Sequence, residues 1–128
     1  MVTMNREQVT NIVDKVYPLI VKDLGGEVSK VKIHNNIYER LGAICEDELK
    51  KDNNPSAEYD YNSKTIYLYY SSIKNTEETI RSLLHEHTHS MQSNKLFKLI
   101  YDCGHVYSTH PYEKQAKKAE LKWKNYEN

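Results

Sequence analysis

Leu83-Leu84-His85-Glu86-His87-Thr88-His89 is the stretch on which the fold of this 128-residue chain turns. It contains His85-Glu86-x-x-His89. On a helix, His85 and His89 stand one turn apart and offer two imidazole nitrogens to one metal ion, with Glu86 placed to take a proton from a metal-activated water. Wound at about 100° per residue, the segment puts Ile80, Leu83, Leu84, His87 and Met91 on one side. Ser82, His85, Glu86 and His89 fall on roughly the opposite side. The apolar face is thus complete without the two candidate ligands, whereas His87 lies inside it and reads as a hydrogen-bonded packing histidine. The helix is expected from Thr76 to Gln92, with Asn75 or Thr76 as its cap and Glu77 and Glu78 suiting its positive end.

Working toward the N-terminus, Ala57–Tyr61 and Thr65–Tyr70 flank a turn at Asn62-Ser63-Lys64 and read as a β-hairpin. In its second arm Ile66, Leu68 and Tyr70 share one face and Thr65, Tyr67 and Tyr69 the other. The first face suits the core, and the second is expected to meet solvent or ligand. Before Asp52-Asn53-Asn54-Pro55, the residues Ile37, Leu41, Ile44, Cys45 and Leu49 fall on one face of a helix between Asn36 and Lys51. Val28–Ile33 alternates like a short strand. Val9, Ile12, Val13, Val16, Ile20 and Leu24 form the stripe of a first helix that stops at Gly25-Gly26, with Pro18 a place for a kink.

Toward the C-terminus, Leu96–Tyr101 is an apolar patch slightly favouring helix, and a terminal helix runs from Pro111 to Tyr126. A catalytic metal site takes a third protein ligand, for which Asp102, His105, His110 and Glu113 compete. Glu113 is preferred. It lies in the first turn of a helix, and Ala116 one turn on lets that helix approach the motif helix closely.

His85-Glu86-x-x-His89 followed 24 residues later by Glu113-Lys114-Gln115-Ala116 resembles the gluzincins, zinc metallopeptidases in which a downstream helix supplies a Glu ligand. Over about Ala57 to Trp123 the chain looks most like the minimal members, small bacterial and phage domains and the catalytic domain of IrrE-type regulators. The resemblance implies a single zincin-like α+β domain over residues 1–128, with N-terminal helices, a short mixed sheet, a central motif helix and a C-terminal ligand helix. It implies one zinc ion on His85, His89 and Glu113, Glu86 as general base, and a peptide or protein substrate. It further implies that the strand Thr65, Ile66, Tyr67, Leu68, Tyr69 is an edge strand that holds the peptide. No residue matches the transition-state stabiliser of the family, and His105, Tyr107, His110 and Tyr112 stay open for that role. The further histidine of metzincins is absent after His89.

Composition narrows the alternatives. Lys+Arg and Asp+Glu balance at 18 each, so no basic field draws the chain onto nucleic acid. No signal peptide or apolar span is seen, and a cytoplasmic protein is expected. Cys45 and Cys103 read as free packing thiols. So short a chain leaves little room for a second lobe, and either the cleft is shallow or a partner or second subunit completes it. The competing function is a catalytically inactive metal-binding module acting in regulation or protein interaction.

Overall fold

The computed structural model describes residues 3–41 and 55–127. Helix α1 (Arg6–Leu24) opens with a reciprocal capping box between Asn5 and Gln8. It buries Val9, Val13, Val16, Tyr17 and Ile20. Pro18 lies within it but is exposed, so the Asp14 carbonyl that loses its partner can turn to water. Strand β1 (Lys30–His34) and the short helix α2 (Ile37–Leu41) follow. The rest of the helix expected to Lys51, and Cys45, lie outside the described residues. After β2 (Ala57–Asp60) and β3 (Thr65–Tyr69) come a 3-10 turn (Tyr70–Ser72), the motif helix α3 (Thr76–Ser90), α4 (Asn94–Asp102) and α5 (Pro111–Ala119). A 3-10 segment (Glu120–Tyr126) takes the place of the last turns of the expected terminal helix.

The architecture is α+β with a small mixed sheet, as expected, but the role given to β3 is overturned. The sheet order is β1-β3-β2, with β1 parallel and β2 antiparallel to β3. Thr65, Ile66, Tyr67, Leu68 and Tyr69 therefore form the central strand, with main-chain partners on both sides and every residue buried. The cause is non-local. Val31 and Ile33 align with Ile66 and Leu68, so β1 occupies the side that a lone hairpin would leave free. The tyrosine face of β3 is covered as well. The Arg40 guanidinium lies 3.8 Å over the Tyr67 ring, His34 stacks on the same ring, and Tyr69 Oη donates to Glu58 at 3.0 Å. Among the described residues, the free edge next to α3 is that of β2.

Ile66 and Leu68 on the other face join Ile73, Ile80, Leu83, Leu84 and the α1 stripe in one core. Helix α3 packs on α1 with this side, and on α5 and the 3-10 segment with the other. It is a central helix buried along two faces, and its second burial follows from the sequence only once a partner helix is supplied. Cys103 is exposed at the end of α4 and takes no part in packing, contrary to expectation. None of the described helices is long and apolar enough to cross a membrane.

Candidate metal centre

Helix α3 begins where Asn75 Oδ1 accepts the Glu78 N–H at 2.9 Å, and Glu78 accepts the Lys74 N–H at 3.0 Å rather than that of Asn75. One helical turn separates His85 from His89, and both side chains point toward α5. That helix starts at His110, whose Nδ1 accepts the Tyr112 N–H and whose Nε2 donates to the Phe97 carbonyl. With Pro111 in the first turn, Glu113 is aimed at α3. Ala116, fully buried, allows the approach anticipated for it.

The outcome is a group of three. Glu113 Oε1 lies 2.8 Å from His89 Nε2 and 3.4 Å from His85 Nε2, and the two Nε2 atoms are 3.2 Å apart. His89 and Glu113 are buried, and only 12% of the His85 side chain is exposed. Asp102, weighed as a ligand, is exposed and outside the group, as is His105; His110 is spent on its cap.

Two residues not foreseen from the sequence fix the ring protons. His85 Nδ1 lies 2.7 Å from Glu120 Oε2, and a carboxylate there can only accept, so Nδ1 carries the proton. Glu120 itself faces Arg81, 3.8 Å from its other oxygen. His89 Nδ1 lies 2.7 Å from Gln92 Oε1. The Gln92 amide cannot be turned over, because its Nε2 donates to the Tyr112 carbonyl at 3.1 Å, an atom that can only accept. In their neutral forms both rings therefore turn Nε2 lone pairs to each other and to the Glu113 oxygen. Three converging acceptors repel unless a cation lies between them, so the group can hold a metal ion. A signal for Glu120 did exist, since it falls on the helical spacing of Glu113 and Ala116. Gln92 stands one turn beyond His89.

Electrostatics agree with a site built for charge. The cation between the acceptors can be a proton: burial alone would lower the His85 pKa, but its bonds to Glu113 and Glu120 outweigh this and hold it up to about 10, so a proton on Nε2 competes with a metal ion for the same lone pair. Burial pulls Glu113 upward and is overcome by His85 and His89, which bring it down to about 2. Glu86, buried on the next position of the helix, is different. Desolvation raises its pKa to about 7 against the opposing pull of His85 and His89. His87 is confirmed as a packing residue. It is fully buried, its Nε2 donates to the Gly25 carbonyl at 2.7 Å and its Nδ1 accepts from Tyr17 Oη at 2.8 Å.

A cleft of about 1060 Å³ opens over the group, with His85, Glu86, His89 and Glu113 at its floor. One wall is β2 with the turn after it, from Ser56 to Asn62, and another includes Phe97, Lys98 and Tyr107. Of the four residues left open as stabilisers, Tyr107 alone lines this cleft. His105 is exposed and paired with Thr109, and Tyr112 contributes its main chain to Gln92 and His110. Tyr61, on the β2 side, was not considered from the sequence. Comparison of the chain with protein-family models, curated proteins and solved structures finds no match.

Proposed function

We propose that this chain is a zinc-dependent peptidase whose metal is held by His85 Nε2, His89 Nε2 and Glu113 Oε1. The observation that carries the proposal is the convergence of these three acceptors beside a buried Glu86 on the floor of an open cleft. The separations of 3.2, 2.8 and 3.4 Å are short enough for one ion to meet all three atoms, and two imidazoles with one carboxylate are a donor set that suits zinc. Zinc bound there would polarise a peptide carbonyl and acidify the attacking water.

The chain's own groups supply the rest. Glu86, with a proton affinity raised to about 7, accepts the proton of the water and returns it to the leaving amine. Glu120 and Gln92 hold the imidazoles in the tautomer that binds metal. The free edge of β2 along the cleft offers main-chain groups to an extended peptide, the part first expected of β3. A buried carboxylate beside the ligands costs stability and is unnecessary in a purely structural site, which favours the enzyme over an inactive metal-binding module.

Glu86→Gln tests this. The zinc-loaded variant should keep one metal ion per chain and lose hydrolysis of a fluorescently labelled denatured casein that the parent cleaves. Loss of the metal in the variant would make Glu86 a ligand, and unchanged cleavage would remove it from the mechanism.

A further inference from the structure

Unlike α1, α3 and α5, helix α4 buries none of its nine residues, although they include Leu96, Phe97, Leu99, Ile100 and Tyr101. Winding at about 100° per residue parts these five into two groups. Phe97 and Tyr101 turn inward, where Phe97 meets His89 at 5.4 Å and Tyr101 meets His110 at 4.5 Å. Leu96, Leu99 and Ile100 fall within an arc of about 100° on another side, and Leu96 and Leu99 are 46% and 51% exposed. Asn94, Phe97 and Lys98 line the cleft, whereas the aliphatic three do not. The row is therefore not spent on the site. Leucines scattered singly over a surface are ordinary, but a continuous aliphatic row along one helix has the form of a packing face.

The charges beside the row indicate what covers it. Lys95 and Asp102 are exposed and seven residues apart, so they lie within about 20° of each other on one flank. A second α4 laid antiparallel on the first sets Lys95 against Asp102 of the other copy, and symmetry repeats the pair at the far end. A parallel pair would oppose Lys95 to Lys95 and Asp102 to Asp102, and an anionic lipid surface would repel the acid. The formal net charge of zero adds no long-range repulsion between copies. We infer that the face of α4 formed by Leu96, Leu99 and Ile100 is a contact between two copies of this chain, paired antiparallel about a two-fold axis beside Leu99. The contact pins α4 from outside, and with it the Phe97 ring against His89 and the Phe97 carbonyl that accepts from His110 Nε2 at 2.9 Å. A helix of nine residues is about 13 Å long, so the interface is small and the dimer weak, with a dissociation constant of roughly 1–100 μM.

Sedimentation equilibrium tests this under reducing conditions, which keep the exposed Cys103 from cross-linking copies. The parent should pass from monomer to dimer across that range of concentration. Leu99 stands next to the axis, so L99K sets two lysines face to face and should weaken the dimer about a hundredfold or more. K95D should weaken it about tenfold, and K95D/D102K, which exchanges the two charges, should return it to within about threefold of the parent. All three variants should melt within about 3 °C of the parent where every chain is monomeric, because each altered side chain is exposed. A parent that stays monomeric throughout, or a monomeric parent that sediments with phosphatidylserine vesicles, overturns the inference. So does a dimer indifferent to L99K, or one that K95D/D102K fails to restore, since the antiparallel pairing alone predicts that rescue.

Discussion

Three histidines within five residues have separate duties, and the atom opposite each ring nitrogen explains the difference. His87 faces a carbonyl and a phenol, groups that together satisfy a neutral imidazole, and burial lowers its pKa accordingly. The Tyr17 hydroxyl that donates to it also accepts the Ser29 N–H at 3.0 Å, so His87 closes a chain of bonds joining α1, the start of β1 and α3. His87→Phe should cost about 2–4 kcal/mol in urea unfolding, since it strands the Tyr17 hydroxyl and the Gly25 carbonyl, yet leave metal content unchanged. Zinc loss in a still-folded H87F would contradict the assignment. His85 and His89 instead face carboxylate and amide oxygens on one side and one another on the other. Removing those outer acceptors should leave the ligands in place but less well aimed. Glu120→Ala and Gln92→Ala are each expected to weaken zinc binding about 10–100-fold in a chelator competition, with less effect on folding than Glu113→Ala. An unchanged affinity would mean that the ring orientation is set by packing alone.

At the level of elements, what was legible in the sequence divides by range. Helix α3, its cap at Asn75 and its apolar side depend on residues three and four apart, and α1, the β2–β3 hairpin and α5 are likewise local. Glu113 could be anticipated because a first-turn Glu with Ala116 three residues on describes a helix that carries a ligand into close contact. The centrality of β3 could not. It depends on the parallel pairing of Lys30–His34 with a segment more than thirty residues later, and an isolated hairpin pattern gives no sign of which side a third strand will take. The partners of His85 and His89 were hidden for a related reason, as Glu120 meets His85 only when α5 and its 3-10 extension cross α3 in one particular orientation. One such junction can be tested directly. Gly26 has φ +82°, and a Cβ placed there would lie 2.8 Å from Met91 Cγ at the end of α3. Gly26→Ala should destabilise by about 1–3 kcal/mol, part from the left-handed backbone and part from the contact. Adding Met91→Ala should recover only the contact part, so a double mutant as stable as Met91→Ala alone would show that the backbone conformation carries no strain.

Across the whole molecule, the three candidate metal ligands lie on two helices, α3 and α5, so an ion held by all three would tie those helices together and stabilise the fold. At free zinc about a thousand times its Kd, binding contributes about 4 kcal/mol, and chelation should lower the melting temperature by roughly 10–20 °C, reversibly on return of the metal. The closing of the C-terminal segment also has a proton dependence that can be isolated. Tyr126 is buried and its hydroxyl donates to Asp23 Oδ2 at 3.0 Å, joining the last 3-10 segment to the end of α1. Burial first, and then Asp23, push its pKa up to about 12. The unfolded phenol titrates near 10. Because the folded pKa is the higher, the protonated form is favoured by folding. Its contribution is complete below about pH 10 and disappears as pH rises through about 12, and is worth at most roughly 2–3 kcal/mol. Lysines and other tyrosines titrate in the same window, so the informative quantity is the difference between the parent and Y126F in urea unfolding at pH 8, 10, 11 and 12. That difference should be largest at pH 8 and shrink steadily above pH 10; a constant difference would mean that Tyr126 contributes packing alone. Glu120 opens the same 3-10 segment, so its hold on His85 depends on that closure. Y126F should therefore also weaken zinc binding slightly at pH 8, by less than Glu120→Ala does, although Tyr126 touches no ligand.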